Sequence, residues 1–482
     1  MRNSVDSKRL SVCIVLEGSY PFITGGVSAW VHDLILNLPN IDFSLFTISP
    51  EVDQELRYEL PENVTEVRDV VLSSSPDHIR RNPSKKKLLR SIEALHTRML
   101  SGSIGDIDDV VSFHPEGYFM HSDSVRSKEG WRLITDTNVK RNPLYPFTDY
   151  YWAWKSAHDL LFSVLGSTPP DADIYHAVST GFAGIAALAA KLRHGKPLLL
   201  TEHGLYHKER EMEIRKSKLI KGYQRDMWIS MYNMLSKICY RNADVITALF
   251  EENRRKQHEL GASADKTVVV PNGIDVERFT MERKPRESGF HIGLVGRVVP
   301  IKDIKTFIAT AKIVLDEIPE AEFHCIGPTD EDFAYFEDCK LLVQSMKIED
   351  RFHFTGRQNV LEYYAFLDVV MLTSVREAQP LVILEAYCAG VPFVATRVGN
   401  IPELLDYDDR FLAPSKDAAK LADGVIYLHD HPKEVDEMRI RNRRKVLNLY
   451  NKEELHQKFR DIYQDLGNLG GTPADPVHTG EH

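Results

Sequence analysis

The sequence predicts an α/β protein built from two Rossmann-like domains. Its 482 residues exceed what one hydrophobic core of ordinary size can organise, so two domains are expected. Short runs of β-branched and aliphatic residues alternate with segments of helical periodicity, which is typical of a mostly parallel, doubly wound sheet. The alternation starts again after a polar stretch at Glu282–Ser288, which we interpret as the interdomain linker. We therefore expect two lobes that face each other across a cleft.

The first domain is assigned to residues 1–280. Its predicted strands are apolar runs at Ser11–Leu16, Phe43–Ile48, Asp173–Ala177, Pro197–Thr201, Asp244–Leu249 and Lys266–Val270. Apolar residues at helical spacing predict helices at Gly25–Leu38 and Phe182–Leu192. Charged residues, proline and aromatic residues interrupt this rhythm at about 60–165, and a largely helical insertion is predicted there.

The second domain is assigned to residues 281–450. Its predicted strands lie at His291–Val295, Glu322–Ile326, Arg351–Phe354, Asp368–Leu372 and Pro392–Thr396. Helices are predicted at Ile304–Ile318 and Leu381–Ala389. A last helix within 451–466 is expected to cross back to the first domain. The Gly-, Pro- and His-rich tail at 467–482 is predicted to be disordered.

Charge and cysteine usage narrow the class of protein. With 60 basic and 70 acidic residues the formal net charge is -10, so no global basic field for nucleic acid is present, and no nucleic-acid partner is expected. The five cysteines form no C-x-x-C pair, which is typical of free thiols in a reducing compartment. The apolar run that follows Lys8 and Arg9 is too short for a signal peptide and lacks a cleavage pattern. A cytoplasmic protein is expected.

Two glutamates separated by seven residues, Glu377 and Glu385, give the strongest functional signal. They flank a predicted helix start, where Pro380 suits the first turn and Gly390 suits the end of the helix. The free N–H groups of such a start, near Leu381 and Val382, bind phosphate. Glu385 lies one turn further along, a rise of roughly 6 Å, which matches the offset between a diphosphate and its ribose. A plain surface helix is the alternative, but an unpaired carboxylate is costly in so apolar a segment.

A second signal is the segment Gly296-Arg297-Val-Val-Pro-Ile-Lys302-Asp303, at the end of the second domain's first strand. Arg297 offers a bidentate fork and Lys302 a point charge, and both suit a leaving diphosphate. Either residue alone is more typical of a solvated loop. Together with the glutamate pair, they predict a shared diphosphate site.

These elements, with Val269-Val-Pro-Asn-Gly-Ile-Asp275, resemble the retaining GT-B glycosyltransferases that include sucrose and glycogen synthases. The resemblance covers most of the chain except the insertion. It implies the GT-B fold, diphosphate binding by Arg297 and Lys302, ribose binding by Glu385 and contact of Glu377 with the donor sugar. Gln379, Leu381 and Val382 are assigned to donor binding, and Arg357 is expected near the base.

The first domain contributes a glycine pair and a histidine. Gly25 and Gly26 join the first strand to the first helix, where they permit a ligand to approach the backbone; a tight turn explains them equally well. The loop lacks G-x-G-x-x-G, which argues against a dinucleotide cofactor. His203, in Thr201-Glu202-His203-Gly204, follows a predicted strand and should point into the cleft. The family resemblance implies that it touches the donor sugar, so His203 is included in the catalytic set with Glu377, Arg297 and Lys302.

The first-domain segments Leu16-Glu-Gly-Ser-Tyr-Pro, Gly-Gly-Val-Ser-Ala-Trp-Val-His and Thr-Glu-His-Gly-Leu-Tyr-His-Lys-Glu-Arg narrow the match. They resemble the PelF family, cytosolic glycosyltransferases of bacterial Pel exopolysaccharide synthesis. This implies a UDP-sugar donor, UDP-glucose in the first place, and a polysaccharide acceptor. It also implies an inner-membrane synthesis and export complex as partner, with recruitment to the inner face of the membrane.

The resemblance implies front-face attack, in which the departing phosphate oxygen takes the acceptor's proton. No cofactor is expected, and no metal, because two cations replace it; Asp171-Ala-Asp173 is interpreted as a cap or turn and not as a metal ligand pair. Two other functions stay open: a nucleotide-sugar epimerase of the same fold, and a non-catalytic nucleotide-sugar-binding subunit of a synthase.

Three further clusters receive structural interpretations. The basic runs at 80–90 and 439–445 are read as solvated helix faces, with acidic partners or lipid headgroups as the alternative for the first. The aromatic group Tyr150, Tyr151, Trp152 and Trp154 can stack on sugars, but packing in the core is the preferred interpretation.

Overall fold

The structure is a computed structural model that describes residues 9–50, 54–71, 82–120, 127–139, 146–217, 220, 222–284 and 288–470. It divides into two compact units. The first comprises Met1–Val270 together with Lys458–His482, and the second comprises Pro271–Gln457. Each unit contains one parallel sheet with helices around it, so both have the Rossmann-like architecture predicted from the sequence.

The sheet of the first unit has seven parallel strands in the order β3-β2-β1-β4-β5-β6-β7. Their bounds are β1 Ser11–Glu17, β2 Asp42–Ser49, β3 Val64–Val71, β4 Ile174–Ala177, β5 Leu198–Glu202, β6 Val245–Ala248 and β7 Thr267–Val269. The central strands are buried on both faces and therefore read as continuous apolar runs, which is why the sequence located them within two residues. Asp173 fixes the start of β4 to β1, because its Oδ2 accepts a hydrogen bond from Ser11 N at 3.1 Å.

The helices of the first unit surround this sheet. They are α1 Gly26–Asn37, α2 Lys85–Leu100, α3 Asp108–Phe113, α4 Lys128–Val139, α5 Phe147–Gly166, α6 Phe182–His194, α7 Tyr206–Lys216, α8 Tyr223–Asn242 and α9 Glu251–Glu259. Helix α6 is the most buried: its first nine residues are all inaccessible, as its alanine-rich sequence predicts. It ends at Gly195, which has φ 64° and donates to Lys191 O.

The predicted helical insertion is correct for α2–α5 but wrong at its beginning. Strand β3 lies inside the expected range and pairs in parallel with β2. This strand is at the edge of the sheet and alternates charged with apolar residues, so it lacks the apolar run by which the other strands were found. Arg80 and Arg81 of the first basic run lie outside the described residues; Lys86, Lys87 and Arg90 are exposed on α2.

The sheet of the second unit has six parallel strands in the order β10-β9-β8-β11-β12-β13. Their bounds are β8 Phe290–Val295, β9 Ala321–Ile326, β10 Phe352–Gly356, β11 Val369–Leu372, β12 Phe393–Thr396 and β13 Leu412–Ala413. The two-residue strand β13 was not predicted from the sequence, because it is too short to form an apolar run.

The helices of the second unit begin with a single turn, α10 Val276–Phe279. The others are α11 Ile304–Glu317, α12 Phe333–Met346, α13 Val360–Tyr364, α14 Leu381–Cys388, α15 Ile401–Leu404, α16 Ala418–Asp430 and α17 Pro432–Leu449. Ile274 and Phe279 belong to the hydrophobic core of this unit. Because of these contacts the unit begins at Pro271, ten residues before the expected boundary, and Glu282–Arg283 does not separate the units; residues 285–287 of the expected linker lie outside the described residues.

The last helix, α18, spans Lys452–Gly470, and its residues from Lys458 onward belong to the first unit. There Tyr463 is buried and its hydroxyl lies 2.6 Å from His176 Nδ1. The helix continues past Gly467. A Cβ at this position would lie 2.8 Å from Leu10 Cδ1, so a larger residue would require Leu10 to shift. Residues 467–470 are therefore helical and not part of a disordered tail, and 471–482 lie outside the described residues.

All five cysteines are buried free thiols, as expected. Among the helices that the structure describes, none combines the length and apolar character needed to cross a bilayer.

Candidate functional site: a nucleotide-sugar site in the second unit

The candidate site lies where the sheet of the second unit reverses its order. Strands β8 and β11 are neighbours, but the chain leaves β8 toward β9 and β10, whereas β11 leads to β12 and β13. The loops that follow β8 and β11 therefore diverge at the carboxyl edge and leave a crevice, which is where ligands bind in open α/β sheets. These loops contain Lys302 and Glu377.

An ion pair joins the two loops. Lys302 Nζ lies 2.5 Å from Glu377 Oε1, and the side chains are 18% and 14% exposed. The lysine side chain runs alongside Gly296, where a Cβ would make an ordinary van der Waals contact with Lys302 Cε at 3.6 Å. Ser374 Oγ also donates to Glu377 Oε1, at 2.6 Å. A cation and a carboxylate are thus held side by side at the edge of the crevice.

Backbone contacts fix both loops. Thr373 Oγ1 donates to Lys302 O at 2.8 Å and to Asp303 O at 3.0 Å, and Asp303 has the left-handed φ of 49°. Gly399, in the loop that follows β12, lies against the loop of Glu377: it has φ +55°, and a Cβ at this position would lie 2.2 Å from Glu377 O. Only glycine permits so close an approach together with a positive φ, so Gly399 holds the backbone that carries Glu377.

Helix α14 points its amino terminus at the same edge. It begins at Leu381, as predicted, and Pro380 is its N-cap residue and not part of its first turn. Five of its eight residues are buried; the other three, Leu381, Val382 and Glu385, share the one face that remains accessible. The N–H groups of Leu381 and Val382 have no acceptor within the helix because they belong to its first turn. This face therefore offers free donors at its start and a carboxylate one turn later.

Glu385 is held by a tyrosine from another part of the sequence. Tyr364, which is fully buried at the end of α13, donates its hydroxyl to Glu385 Oε2 at 3.0 Å. Burial raises the pKa of Glu385, and the Tyr364 hydrogen bond and the charge of Arg278 oppose this shift. One carboxylate oxygen is thus occupied and the orientation of the other is fixed.

The two predicted arginines do not join this group. Arg297 forms an ion pair with Glu331 at 2.7 Å and is 54% exposed, and Arg357 lies 3.6 Å from Asp330 and is 72% exposed. Both guanidinium groups are drawn to the acidic loop after β9. This competition was not predictable from local patterns of residues, because the acidic loop is distant along the chain from both arginines.

Gln379 has a structural role. Its side-chain Oε1 accepts from Asn272 N at 2.8 Å and its Nε2 donates to Asn272 O at 3.3 Å. The side chain is buried and ties the Pro271–Asp275 segment to the loop of Glu377. This contact leaves the Gln379 amide engaged within the protein, and the assignment of Gln379 to donor binding stays a prediction.

In the first unit, His203 follows β5 and packs edge-on against Trp30, with ring centroids 4.5 Å apart. Burial lowers the pKa of His203 to about 4, so the imidazole is neutral at pH 7. Its Nε2 is buried and has no hydrogen-bond partner among the described residues. The neighbouring His176 is fully engaged, with Thr201 Oγ1 at 2.8 Å from its Nε2 and Tyr463 at its Nδ1.

Gly25 and Gly26 lie at the start of α1. Gly25 has φ 174°, an extended value that any residue adopts, and a Cβ at either position would meet no atom within 4 Å. Neither packing nor backbone conformation of the described residues requires glycine here. The structure thus gives no steric reason for glycine at either position, and ligand binding at Gly25 and Gly26 stays a prediction.

Sequence reasoning missed two buried carboxylates of the first unit. Glu17 accepts from Tyr206 Oη at 2.8 Å, and Glu202 accepts from Tyr240 Oη at 2.5 Å and from Gln257 Nε2 at 3.0 Å. Burial raises the pKa of both. Their positions at the ends of β1 and β5 were visible in the sequence, but their donors come from distant helices. These bonds secure the loops that carry Gly25 and His203.

Two family models match the chain, one in each of its two units. The family described as "Domain of unknown function (DUF3492)" matches residues 10–265, just over half of the chain. The chain belongs to this family. The family "Glycosyl transferases group 1" matches residues 289–431, which contain the Lys302, Glu377 and Glu385 site.

Curated relatives share part of the sequence. N-acetyl-alpha-D-glucosaminyl L-malate synthase of Bacillus anthracis is 30% identical over 247 residues, 48% of this chain and 63% of that protein. The UDP-Gal:alpha-D-GlcNAc-diphosphoundecaprenol alpha-1,3-galactosyltransferase of Escherichia coli is 26% identical over 310 residues, 61% of this chain and 76% of that protein. The chain thus spans somewhat less than two thirds of the first relative.

Solved structures share the fold over nearly the whole chain. Sucrose-phosphate synthase from Thermosynechococcus elongatus has a TM-score of 0.59 at 17% identity, covering 96% of this chain and 100% of the other. HepE of Anabaena in complex with UDP has a TM-score of 0.60 at 14% identity, covering 95% and 100%. At these identities the likeness shows the GT-B fold. The Lys302, Glu377 and Glu385 site thus lies in the part of the chain that the family of group 1 glycosyl transferases matches.

Proposed function

We propose that this chain is a retaining, metal-independent glycosyltransferase that moves a sugar from a UDP-sugar to a growing exopolysaccharide. One observation carries the proposal. Lys302 Nζ and Glu377 Oε1 lie 2.5 Å apart at the switch point of the sheet, beside the amino terminus of α14. Glu385 lies one turn further along that helix. The cation and the free N–H donors match a diphosphate. The carboxylate of Glu377 matches the donor sugar, and that of Glu385 matches the ribose.

The donor's position follows from the accessible face of α14. The free N–H groups of Leu381 and Val382 and the positive end of the helix dipole bind the diphosphate, with Lys302 as a second source of positive charge. The free oxygen of Glu385 accepts from a ribose hydroxyl, about 6 Å further along the helix. Glu377 then accepts from hydroxyls of the donor sugar, on the loop side of the phosphates.

The reaction needs stabilisation of negative charge on the leaving group. As the bond between the anomeric carbon and the diphosphate oxygen breaks, the lysine and the helix terminus stabilise the developing charge. The acceptor hydroxyl oxygen forms the new bond from the same face, and its proton passes to the departing phosphate oxygen. The products are the extended chain, with retained configuration, and the nucleoside diphosphate. Arg297 takes part only if it exchanges Glu331 for the phosphate.

His203 is proposed to contact the transferred sugar. Its neutral imidazole has a buried Nε2 without a partner among the described residues, so it supplies one hydrogen bond at little cost of desolvation. Gly25 and Gly26 are proposed to let the ligand approach the start of α1.

The donor and the pathway are proposed from the resemblance. The first-unit segments resemble PelF, which favours UDP-glucose, Pel exopolysaccharide and cooperation with an inner-membrane synthesis and export complex on its cytoplasmic side. The likeness to HepE, which was solved in complex with UDP-glucose, is in keeping with this donor.

Calorimetric titration with UDP, ADP, GDP and UDP-glucose tests the site. We expect selective binding of UDP and UDP-glucose, weakened about tenfold or more in Glu385→Ala and Lys302→Ala. Glu337→Ala, which removes an exposed carboxylate of α12, is the matched control and should bind as the wild type does. Equal binding by all variants would show that the site is misplaced.

Turnover separates the enzyme from the two other functions. With UDP-glucose and an acceptor glycan, the transferase releases UDP and lengthens the glycan. An epimerase would alter the nucleotide sugar without an acceptor, and a binding subunit would leave it unchanged. Binding without turnover on any acceptor tried would contradict the catalytic proposal.

A further inference from the structure

An aromatic cluster lies on the surface of the first unit, apart from the residues assigned above. It consists of Trp131 on α4 and Phe147, Tyr151 and Trp152 on α5. The ring centroid of Trp131 lies 5.8 Å from that of Phe147 and 6.1 Å from that of Tyr151. The ring centroids of Tyr151 and Trp152 lie 5.3 Å apart. The four side chains thus form one continuous aromatic surface.

Three members of this surface are exposed, whereas Tyr151 is partly buried and packs against the hydrophobic core. On α5, Tyr150 and Trp154 are 1% and 0% exposed, whereas Trp152 is 55% exposed. Trp131 and Phe147 are 43% and 38% exposed. The preferred interpretation of core packing is therefore right for Tyr150 and Trp154, holds in part for Tyr151 and is wrong for Trp152, because α5 turns Trp152 to the side opposite Tyr150 and Trp154. Grouped aromatic side chains at the surface typically mark a binding site.

The charges around the cluster are balanced. Among residues 127–139 and 146–152, which the structure describes, there are two cations (Lys128, Arg132) and three carboxylates (Glu129, Asp136, Asp149). Anionic lipids and single-stranded nucleic acids are held by an excess of lysine and arginine beside aromatic side chains. That excess is missing here, so neither a membrane surface nor a nucleic acid is the favoured ligand.

A carbohydrate chain fits this chemistry. One face of a pyranose ring presents C–H groups that pack on an aromatic ring, while its edge presents hydroxyls. Among the described residues, exposed Arg132, Thr148 and Asp149 surround the rings with donors and acceptors of both kinds. We propose that the aromatic cluster binds the acceptor polysaccharide through several of its sugar units. The identity of this glycan as the acceptor rests on the proposed function; the affinity for carbohydrate does not.

A second binding surface changes how the acceptor is used. A chain held at the aromatic cluster has its end available at a raised effective concentration, so long acceptors bind better than short ones. The reacting atoms are not affected. Loss of the cluster therefore raises KM for long chains and leaves kcat, and KM for a short primer, unchanged.

The test uses Trp131→Ala and Trp152→Ala, with Phe333→Ala as the matched control. Phe333 is an aromatic residue of the second unit that is 69% exposed, and its ring packs against no other ring of the described residues. Cellohexaose, chitohexaose and maltohexaose are titrated against the full chain, followed by tryptophan fluorescence and calorimetry. We expect one of them to bind, with affinity about tenfold lower in each tryptophan variant and unchanged in the control.

The same samples distinguish this proposal from the proposed function. UDP binding should be unchanged in both tryptophan variants, and hexasaccharide binding should be unchanged in Glu385→Ala. If all hexasaccharides fail to bind, or bind equally to wild type and tryptophan variants, the carbohydrate proposal is overturned. Loss of binding to phosphatidylglycerol vesicles in the tryptophan variants, without an effect on hexasaccharides, would identify a membrane surface instead and likewise overturn it.

Discussion

Lys302 and Glu377 lie 75 residues apart in the sequence, yet the lysine ammonium donates to the glutamate carboxylate at 2.5 Å. Both side chains are mostly buried, and the loops that carry them follow adjacent strands, β8 and β11. The pair balances two charges that would each be costly alone at this edge. It also places the groups proposed for the leaving diphosphate and for the donor sugar next to each other.

Replacement of Lys302 tests its role in charge stabilisation. Lys302→Ala should lower kcat/KM for UDP-glucose by roughly 10²–10³, because a positive charge aimed at the leaving group is lost. Steady-state kinetics measures this. Lys305 lies three residues after Lys302 and forms an exposed ion pair with Asp338. Lys305→Ala is therefore the control and should retain full activity. Similar losses in both variants would indicate general damage to the loop.

Tyr364 is predicted to act as a positioning residue for Glu385. Tyr364→Phe keeps the buried ring and removes only the hydroxyl, so folding should be little affected while UDP affinity falls about tenfold. Calorimetry of UDP binding gives the measurement. Tyr363→Phe, one residue earlier and only partly buried, is the matched control. A higher pH should not restore UDP affinity in either variant. Wild-type affinity in Tyr364→Phe would refute the positioning role.

Gly399 and Gly390 both have positive φ, but only Gly399 lies close to another part of the backbone. Alanine at Gly390 meets no atom within 4 Å, so Gly390→Ala should cost about 1–2 kcal/mol of stability from backbone strain alone and leave KM unchanged. Gly399→Ala adds a collision with Glu377 O, so it should cost more and also lower kcat. Urea denaturation and kinetics of the two variants check this. An active Gly399→Ala enzyme would show that the Glu377 backbone is not constrained in this way.

His203 makes the stability of the protein depend on pH. Its pKa falls from 6.5 to about 4 on folding, so between these values the unfolded chain binds a proton that the folded chain does not. The contribution is complete above pH 6.5 and is lost as the pH falls toward 4, at up to about 1.4 kcal/mol per pH unit. His203→Asn should therefore lose less stability than wild type between pH 7 and pH 5 in urea denaturation.

The control for this prediction is His194→Asn, a histidine of the same unit that is 32% exposed and lies 3.5 Å from Glu116. It controls for the general effect of replacing a histidine by asparagine in this unit. The raised pKa values of Glu17 and Glu202 act in the opposite direction, because these carboxyls bind protons in the folded state first. The comparison is therefore made between variants at each pH, and parallel curves for wild type and His203→Asn would contradict the prediction.

The sequence by itself determined the fold and the chemical types at the site. Strands buried on both faces must be apolar throughout, so β1, β5, β8 and β11 were visible as runs, while the edge strand β3 was not. Glu377, Glu385 and Lys302 were recognisable because helix starts and strand ends have local signatures.

Only the tertiary structure decided which of these groups meet. The pairing of Lys302 with Glu377, the bond from Tyr364 to Glu385 and the diversion of Arg297 to Glu331 join segments that are distant along the chain. In the same way, the register of α5 buries Trp154 and exposes Trp152. Side-chain partners depend on which strands are neighbours and on how each helix is rotated, and no local pattern of residues encodes those two quantities.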